Sequence, residues 1–204
     1  VVVCHRRFGK TVMAINHLLR DAILCDKANP RYAYIAPTYR QAKAVSWDYL
    51  KQFAGSIPMV RFHETELRCD LPNGARIQLL GSENPDSLRG IYLDGVCLDE
   101  MADMPESLFP EVIRPALSDR KGWALFIGTP RGHNSFFELY SAAESQEDWH
   151  TALYKASETD ILDEEELDAA RAMMSSDQYS QEYECSWVAN VPGAVYGAEL
   201  QDLH

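Results

Sequence analysis

The sequence predicts an α/β fold with a mainly parallel central sheet and flanking helices. Three observations lead to that expectation. An apolar run, Val1-Val2-Val3-Cys4, breaks into a basic loop ending in Gly9-Lys10-Thr11 and passes straight into a helical period. A second strand and helix follow between residues 32 and 53. Two further apolar runs, Gly95-Val96-Cys97-Leu98 and Trp123-Ala124-Leu125-Phe126-Ile127, each end abruptly in polar residues. Strands alternating with helices make parallel sheets, and such sheets collect ligands beyond the carboxyl ends of their strands.

The elements follow in order. From Lys10 to about Cys25, the residues Val12, Ile15, Leu18, Leu19, Ala22 and Ile23 recur at helical spacing. Tyr32-Ala33-Tyr34-Ile35-Ala36 reads as a buried strand that Pro37-Thr38 closes, and Arg40 to Phe53 as the helix after it. Leu67, Cys69 and Leu71 alternate, as do Ile77 and Leu79, and Pro72-Asn73-Gly74 between them signals a hairpin, taken as a small insertion. A short helix is expected after Asn134, a strand near His150 to Tyr154, and amphipathic helices over Asp163–Met173 and Gln178–Trp187. Residues 187–204, with Pro192, Gly193 and Gly197, read as a linker after a domain covering 1–186.

With 46% hydrophobic residues in 204, the chain can bury one substantial core. The cysteines Cys4, Cys25, Cys69, Cys97 and Cys185 form no C-x-x-C pair, which argues against a zinc site or a disulfide framework and for a reducing cytoplasm. No apolar run reaches the length of a membrane span. The chain opens inside a strand without a starting methionine, so upstream residues are expected to be missing. Net charge is −12 but unevenly spread: the first 60 residues carry 9 Lys/Arg against 3 Asp/Glu, and the last 54 carry 2 against 12. The basic end holds the loop. Its excess fits a triphosphate, a polyanion or an ordinary solvated surface.

In the usual phosphate loop, Gly-x4-Gly-Lys-Ser/Thr, backbone N–H groups wrap the phosphates, the lysine reaches the outer ones and the hydroxyl binds magnesium. Here Cys4 stands in place of the first glycine, and Arg6, Arg7 and Phe8 precede Gly9, Lys10 and Thr11. Asp99, at the tip of a buried strand, suits the carboxylate that holds Mg2+, and Glu100 beside it suits a general base polarising water. The extra strand between loop and carboxylates, with Glu directly after Asp, favours the RecA-like (ASCE-type) branch of P-loop NTPases. No Asn-Lys-x-Asp motif selects guanine, which leaves ATP as the nucleotide. His5 reads as a loop residue, because no partner stands at metal spacing, and Trp47, Tyr49 and Phe53 read as core. Arg131 and His133 either touch DNA or finish a turn.

Together, Arg6-Arg7-Phe8-Gly9-Lys10-Thr11, Tyr34-Ile35-Ala36-Pro37-Thr38, Ser87-Leu88-Arg89-Gly90, Asp99-Glu100 and Gly128-Thr129-Pro130-Arg131-Gly132 resemble the ATPase domain of tailed-phage terminase large subunits. The resemblance spans nearly the whole chain. It implies an ATP- and Mg2+-dependent motor that drives double-stranded DNA into a procapsid in the host cell cytoplasm. The implied partners are DNA, the portal protein, the terminase small subunit and further copies of the chain in a ring, a pentamer, with no membrane. By the same resemblance, Lys10 and Thr11 bind phosphate and metal, Asp99 positions the metal, Glu100 is the base, and Gly128-Thr129-Pro130 couples hydrolysis to movement. Arg6 would act within its own subunit and Arg89 as a finger reaching into the neighbouring one, although both also suit plain surface arginines. Gly193-Ala194-Val195-Tyr196-Gly197 resembles the approach to the family's nuclease domain. That domain and the adenine-contacting segment are expected to lie outside this chain, and Asp202 has no assigned role. A helicase-type ATPase and an ATP-binding ring-assembly module with little turnover are the alternatives.

Overall fold

The structure, a computed structural model, describes residues 1–188. The chain folds as two compact units, one of Val1–Phe8 with the chain from Gly128 on, the other of Gly9–Ile127. The first begins with strand β1 (Val2–Cys4), and the second begins with helix α1 (Lys10–Leu24). The amphipathic period of α1 buries Ala14, Ile15, Leu18, Leu19 and Ala22. Ile23, counted by its spacing on that face, is exposed instead, because the helix is about to end and the stripe has drifted past the core.

Strand β2 (Arg31–Ala36) is buried along nearly its whole length. Thr38 then starts a helical segment through a capping box. Its side chain accepts from the Gln41 N–H, and the Gln41 side chain reaches back to the Thr38 N–H. The single helix expected over Arg40–Phe53 is interrupted: α2 (Tyr39–Gln41) runs into a π turn (Ala42–Ser46) before α3 (Trp47–Ala54). Of the three aromatic residues expected in the core, Trp47 is buried there, together with Leu50, whereas Tyr49 and Phe53 stack on each other half-buried.

Strands β3 (Arg61–His63), β4 (Arg68–Asp70) and β5 (Arg76–Gly81) form an antiparallel meander. The turn at Pro72-Asn73-Gly74 is where the residues place it. Gly74 takes φ +86°, and Asn73 donates to the Ala22 carbonyl at 2.8 Å, tying the turn to the end of α1. The hairpin is more than a surface addition: β5 lies parallel to β2 over six residue pairs and so widens the main sheet. β6 (Gly95–Asp99) pairs parallel with the other edge of β2. After a π turn at Leu108–Ile113 and the short α4 (Arg114–Ser118), β7 (Trp123–Gly128) pairs parallel with β6. Within this unit the strand order is β3-β4-β5-β2-β6-β7.

Asp94, just before β6, is almost fully buried. It takes Lys27 at 3.0 Å, Arg120 at 3.1 Å and the Arg31 N–H at 2.9 Å, clamping the starts of β2 and β6.

In the other unit, β1 pairs parallel with β8 (Ala152–Tyr154). Helix α5 (Ser135–Ala143) is capped by Asn134, whose side chain accepts from the N–H groups of Phe136 and Phe137. The short α6 (Ala156–Thr159) precedes α7 (Glu164–Met173), whose Asp163 cap and three first-turn glutamates suit the positive end of the helix dipole. The helix expected over Gln178–Trp187 is α8 (Ser176–Glu182) and stops early: Cys185 takes the left-handed conformation at φ +54°. Tyr179 and Tyr183 join Ala156, Leu167 and Ala170 in a small core, while Trp187 packs on Phe136, Phe137 and Tyr140 of α5. The expected linker lies, from residue 189 on, outside the described residues, as do Gly193–Gly197 and Asp202.

Burial opposes ionisation of Asp94, but Arg120, the Arg31 N–H and Lys27 outweigh it and hold the carboxyl below its ordinary value. Asp94→Ala is therefore expected to cost about 2–4 kcal/mol in urea unfolding, because it strands two cations and a backbone N–H. The contribution of Asp94 should be fully present above pH ~4 and fade as pH falls through its depressed folded pKa. Urea midpoints of parent and variant should converge in acid.

Candidate active site

The site in the unit of Gly9–Ile127 is built from three chain segments: the start of α1, the middle of β2 and the end of β6. Gly9 caps α1 at φ +91°, and a β-carbon there would meet nothing within 4 Å. Glycine is needed for backbone conformation rather than for space. The N–H groups of the first turn have no helical partners, and no acidic side chain in that turn offsets the positive end of the helix. The first two residues of α1 are Lys10 and Thr11.

Lys10 is only 8% exposed, and its Nζ lies 3.8 Å from Oε1 of Glu100. The Thr11 hydroxyl donates to Asp99 Oδ2 at 3.1 Å. Asp99, the last residue of β6, is 6% exposed. The Tyr34 hydroxyl donates to the same Oδ2, and the Glu100 N–H donates to Oδ1 at 3.0 Å. That backbone bond accompanies a left-handed Glu100, φ +57°, which is an uncommon conformation for a non-glycine residue and turns its side chain sharply off the strand. Burial first, then the Asp99 charge and hydrogen bond, push Tyr34 ionisation well above the ordinary phenol range, so it stays a donor.

A cavity of about 170 Å³ opens beside this cluster, lined by Thr11, Tyr34, Pro37, Gln41, Ser46 and Glu100 among others. The donor set suits magnesium. A carboxylate and a hydroxyl 3.1 Å apart are hard oxygen ligands, and Mg2+ characteristically takes one or two protein oxygens together with water and phosphate. No cluster of three or more His, Cys, Asp or Glu able to cage a metal occurs among the described residues.

Arg89 follows a 3₁₀ turn (Pro85–Leu88); its Nε is 2.7 Å from Asp86 and a terminal guanidinium nitrogen 3.4 Å from Glu111. Arg6, Arg7 and Phe8 belong to the other unit. Arg6 and Arg7 are exposed, Arg7 is left-handed at φ +67°, and the Arg6 guanidinium lies 3.8 Å from Glu182. Phe8 stacks on Tyr154 with centroids 4.9 Å apart. Thr129, between Gly128 and Pro130, donates to the Cys4 carbonyl at 3.1 Å, so the residue in place of the first glycine ends β1 and accepts from the Gly-Thr-Pro segment. His5 is buried, with Nδ1 2.7 Å from the Arg6 carbonyl and Nε2 2.9 Å from the Thr159 hydroxyl, a structural role. His133 stacks on Phe137, and Gly132 beside it turns at φ +69°.

Tyr34 and Ser46 have no role in the sequence reading. Tyr34 could have been flagged as a tyrosine, with a hydroxyl needing a partner, inside an otherwise aliphatic buried strand.

Sheet, loop and carboxylate pair define a class: a RecA-like P-loop NTPase fold. The family described as terminase large subunit, T4likevirus-type, N-terminal, matches residues 5–200, and the chain belongs to that family. The terminase large subunit of Thermus virus P23-45 is 34% identical over 125 residues, 52% of this chain and 26% of that protein. The large terminase ATPase domain of Thermus phage P74-26 superposes with a TM-score of 0.78 at 26% identity, covering 92% of this chain and 88% of that one. The large terminase of another thermophilic bacteriophage, in complex with ADP, gives 0.77 at 19% identity, covering 91% of this chain and 48% of that one. At that identity the likeness to the ADP complex speaks to the fold. The chain thus spans about half of the ADP-bound protein, and its match to the P23-45 protein spans about a quarter of that protein.

Gly9→Ala is expected to cost about 1 kcal/mol in urea denaturation, because alanine must adopt the left-handed backbone without clash or compensating contact. Gly9→Asn, which tolerates that conformation, should lose less.

Proposed function

We propose that this chain is the motor module of a DNA-packaging machine and hydrolyses ATP with Mg2+ to move double-stranded DNA into a procapsid. The observation that supports this most directly is the meeting of Lys10, Thr11, Asp99 and Glu100, from chain positions about 90 residues apart, at the N-terminus of α1. Thr11 and Asp99 are the residues that would hold Mg2+, and the ion supplies charge neutralisation for the phosphate oxygens. Lys10, now facing Glu100, is placed to draw onto the outer phosphates. Glu100 accepts a proton from water as the water oxygen bonds to the γ-phosphorus and the bond to the bridging oxygen breaks, which leaves ADP and phosphate. ADP in the thermophilic-phage relative is consistent with adenine nucleotides as ligands here.

In this reading Arg6 and Arg7 serve the chain's own phosphate loop, and Thr129, anchored on the end of β1, couples hydrolysis to movement. Arg89, on an exposed segment, serves the neighbouring subunit of a homo-oligomeric ring, a pentamer. The partners are the portal protein, the terminase small subunit and DNA, in the host cytoplasm. Residues 1–186 act as the motor and 187–204 lead toward a nuclease domain, so DNA cleavage is not assigned to this chain.

Glu100→Gln should bind nucleotide as the parent does but lose turnover by two or more orders of magnitude in a phosphate-release assay. A parental rate would remove the base assignment. In assembled rings, Arg89→Ala and Glu100→Ala subunits mixed together are expected to recover part of the activity, because one supplies the finger and the other an intact base. Failure to complement, or full activity of Arg89→Ala alone, would count against a role in the neighbour.

A further inference from the structure

We propose that Tyr34 is a positioning residue for the metal-holding carboxylate, and that the π turn at Ala42–Ser46 secures it. The inference rests on the reading of Asp99 as a magnesium-holding residue. Tyr34 on β2 pairs with Cys97 on β6, and paired positions in a sheet share a face. Asp99, two residues beyond Cys97, projects from that face too. It is the α1 face, because the Cys97 thiol reaches the Ala14 carbonyl at 3.8 Å. Register alone therefore sets the phenol beside the carboxylate.

An ionised carboxylate has about four acceptor positions. At Asp99, Thr11 and Tyr34 both donate to Oδ2 and the Glu100 N–H donates to Oδ1, so these three donors fill three of the four. The carboxylate cannot rotate without breaking one of them, and its remaining lone pair is presented in a fixed direction. Outer partners of this kind commonly tune metal affinity by tenfold or more. Packing alone does not account for the hydroxyl: at 2% exposure a phenylalanine would fill the strand, and a buried hydroxyl costs free energy unless it is bonded.

Ser46 supplies the other half of the device. It is 1% exposed, it is the last residue of the π turn, and it lines the same cavity as Tyr34 and Asp99. π turns inside helices are found disproportionately at functional sites. Gln41, Val45 and Ser46 all line the cavity shared with Thr11 and Glu100.

The test is Tyr34→Phe in the whole chain, with binding of a fluorescent ADP analogue titrated against Mg2+, and Mn2+ paramagnetic resonance as a direct view of the bound ion. Half-saturating Mg2+ should rise roughly tenfold, and the Mn2+ spectrum should change. The variant should remain folded at assay temperature, with analogue binding in excess chelator matching the parent, a pattern that a collapse of the site would not produce. Ser46→Ala should shift the magnesium midpoint the same way by about two- to threefold, and it decides the matter if Tyr34→Phe does not fold. A folded Tyr34→Phe protein with a parental midpoint and spectrum overturns the proposal alone. A parent chain whose nucleotide binding ignores magnesium overturns the metal reading of Asp99, and this proposal with it.

Discussion

The site depends on one buried carboxylate. Asp99 sits at the end of a strand that is buried at all five positions, and a charge there is tolerable only if it is hydrogen-bonded or close to a cation. Thr11, Tyr34 and the Glu100 N–H meet the first requirement. Each comes from a different local structure: the first turn of a helix, the interior of a neighbouring strand, and a left-handed backbone residue. Satisfying Asp99 thus fixes the phase of α1, the register of β2 against β6 and the turn that aims Glu100. The geometry of the site and the geometry of this part of the sheet are one constraint seen from two sides.

The same logic explains why a second acid, Asp94, stands at the opposite end of β6. Its partners are cations rather than hydroxyls, and all of its contacts hold structure together. Two buried aspartates five residues apart differ in kind because of what surrounds them. Asp94 is saturated by guanidinium and ammonium groups, whereas Asp99 receives neutral donors from Thr11, Tyr34 and the Glu100 N–H. A carboxylate already neutralised by arginine would be a poor partner for a divalent cation.

Much of this was legible in the residues. Lys10-Thr11 and Asp99-Glu100 are local motifs whose chemistry shows without knowledge of the fold, and the family resemblance they carried is the family to which the chain belongs. Strongly periodic or sharply capped elements, such as α1, α7 behind Asp163, and α5 behind Asn134, fell close to where the pattern put them. What escaped depends on long-range pairing. The Tyr34 contact spans 65 positions and exists only in one register of β2 on β6. β3 is three residues long and mostly polar, too short to leave an alternation. The extended α8 was a false continuation: Tyr179, Tyr183 and Trp187 are spaced four apart, as a helix requires, yet the first two serve one aromatic cluster and Trp187 another. Spacing alone does not distinguish one apolar face from two.

The π turn between α2 and α3 also bears on how the sequence can change. Such a turn holds one residue more than an ordinary helix would over the same span, so it acts as a slack loop in the winding. Deleting a single residue from 42–46 would let the helix run regular and remove the bulge, a gain in local backbone geometry. The extra residue is absorbed within the turn, so the helix beyond it would keep its phase, and Trp47, Leu50 and Ala54 would keep their places in the core. What the deletion would take away is the bulge itself, and with it the placement of Ser46 in the cavity lining. A one-residue deletion among Lys43, Ala44 and Val45, all exposed to solvent, is thus expected to spare the fold, whereas one residue more would turn α3 by about 100° and carry its apolar face out of the core.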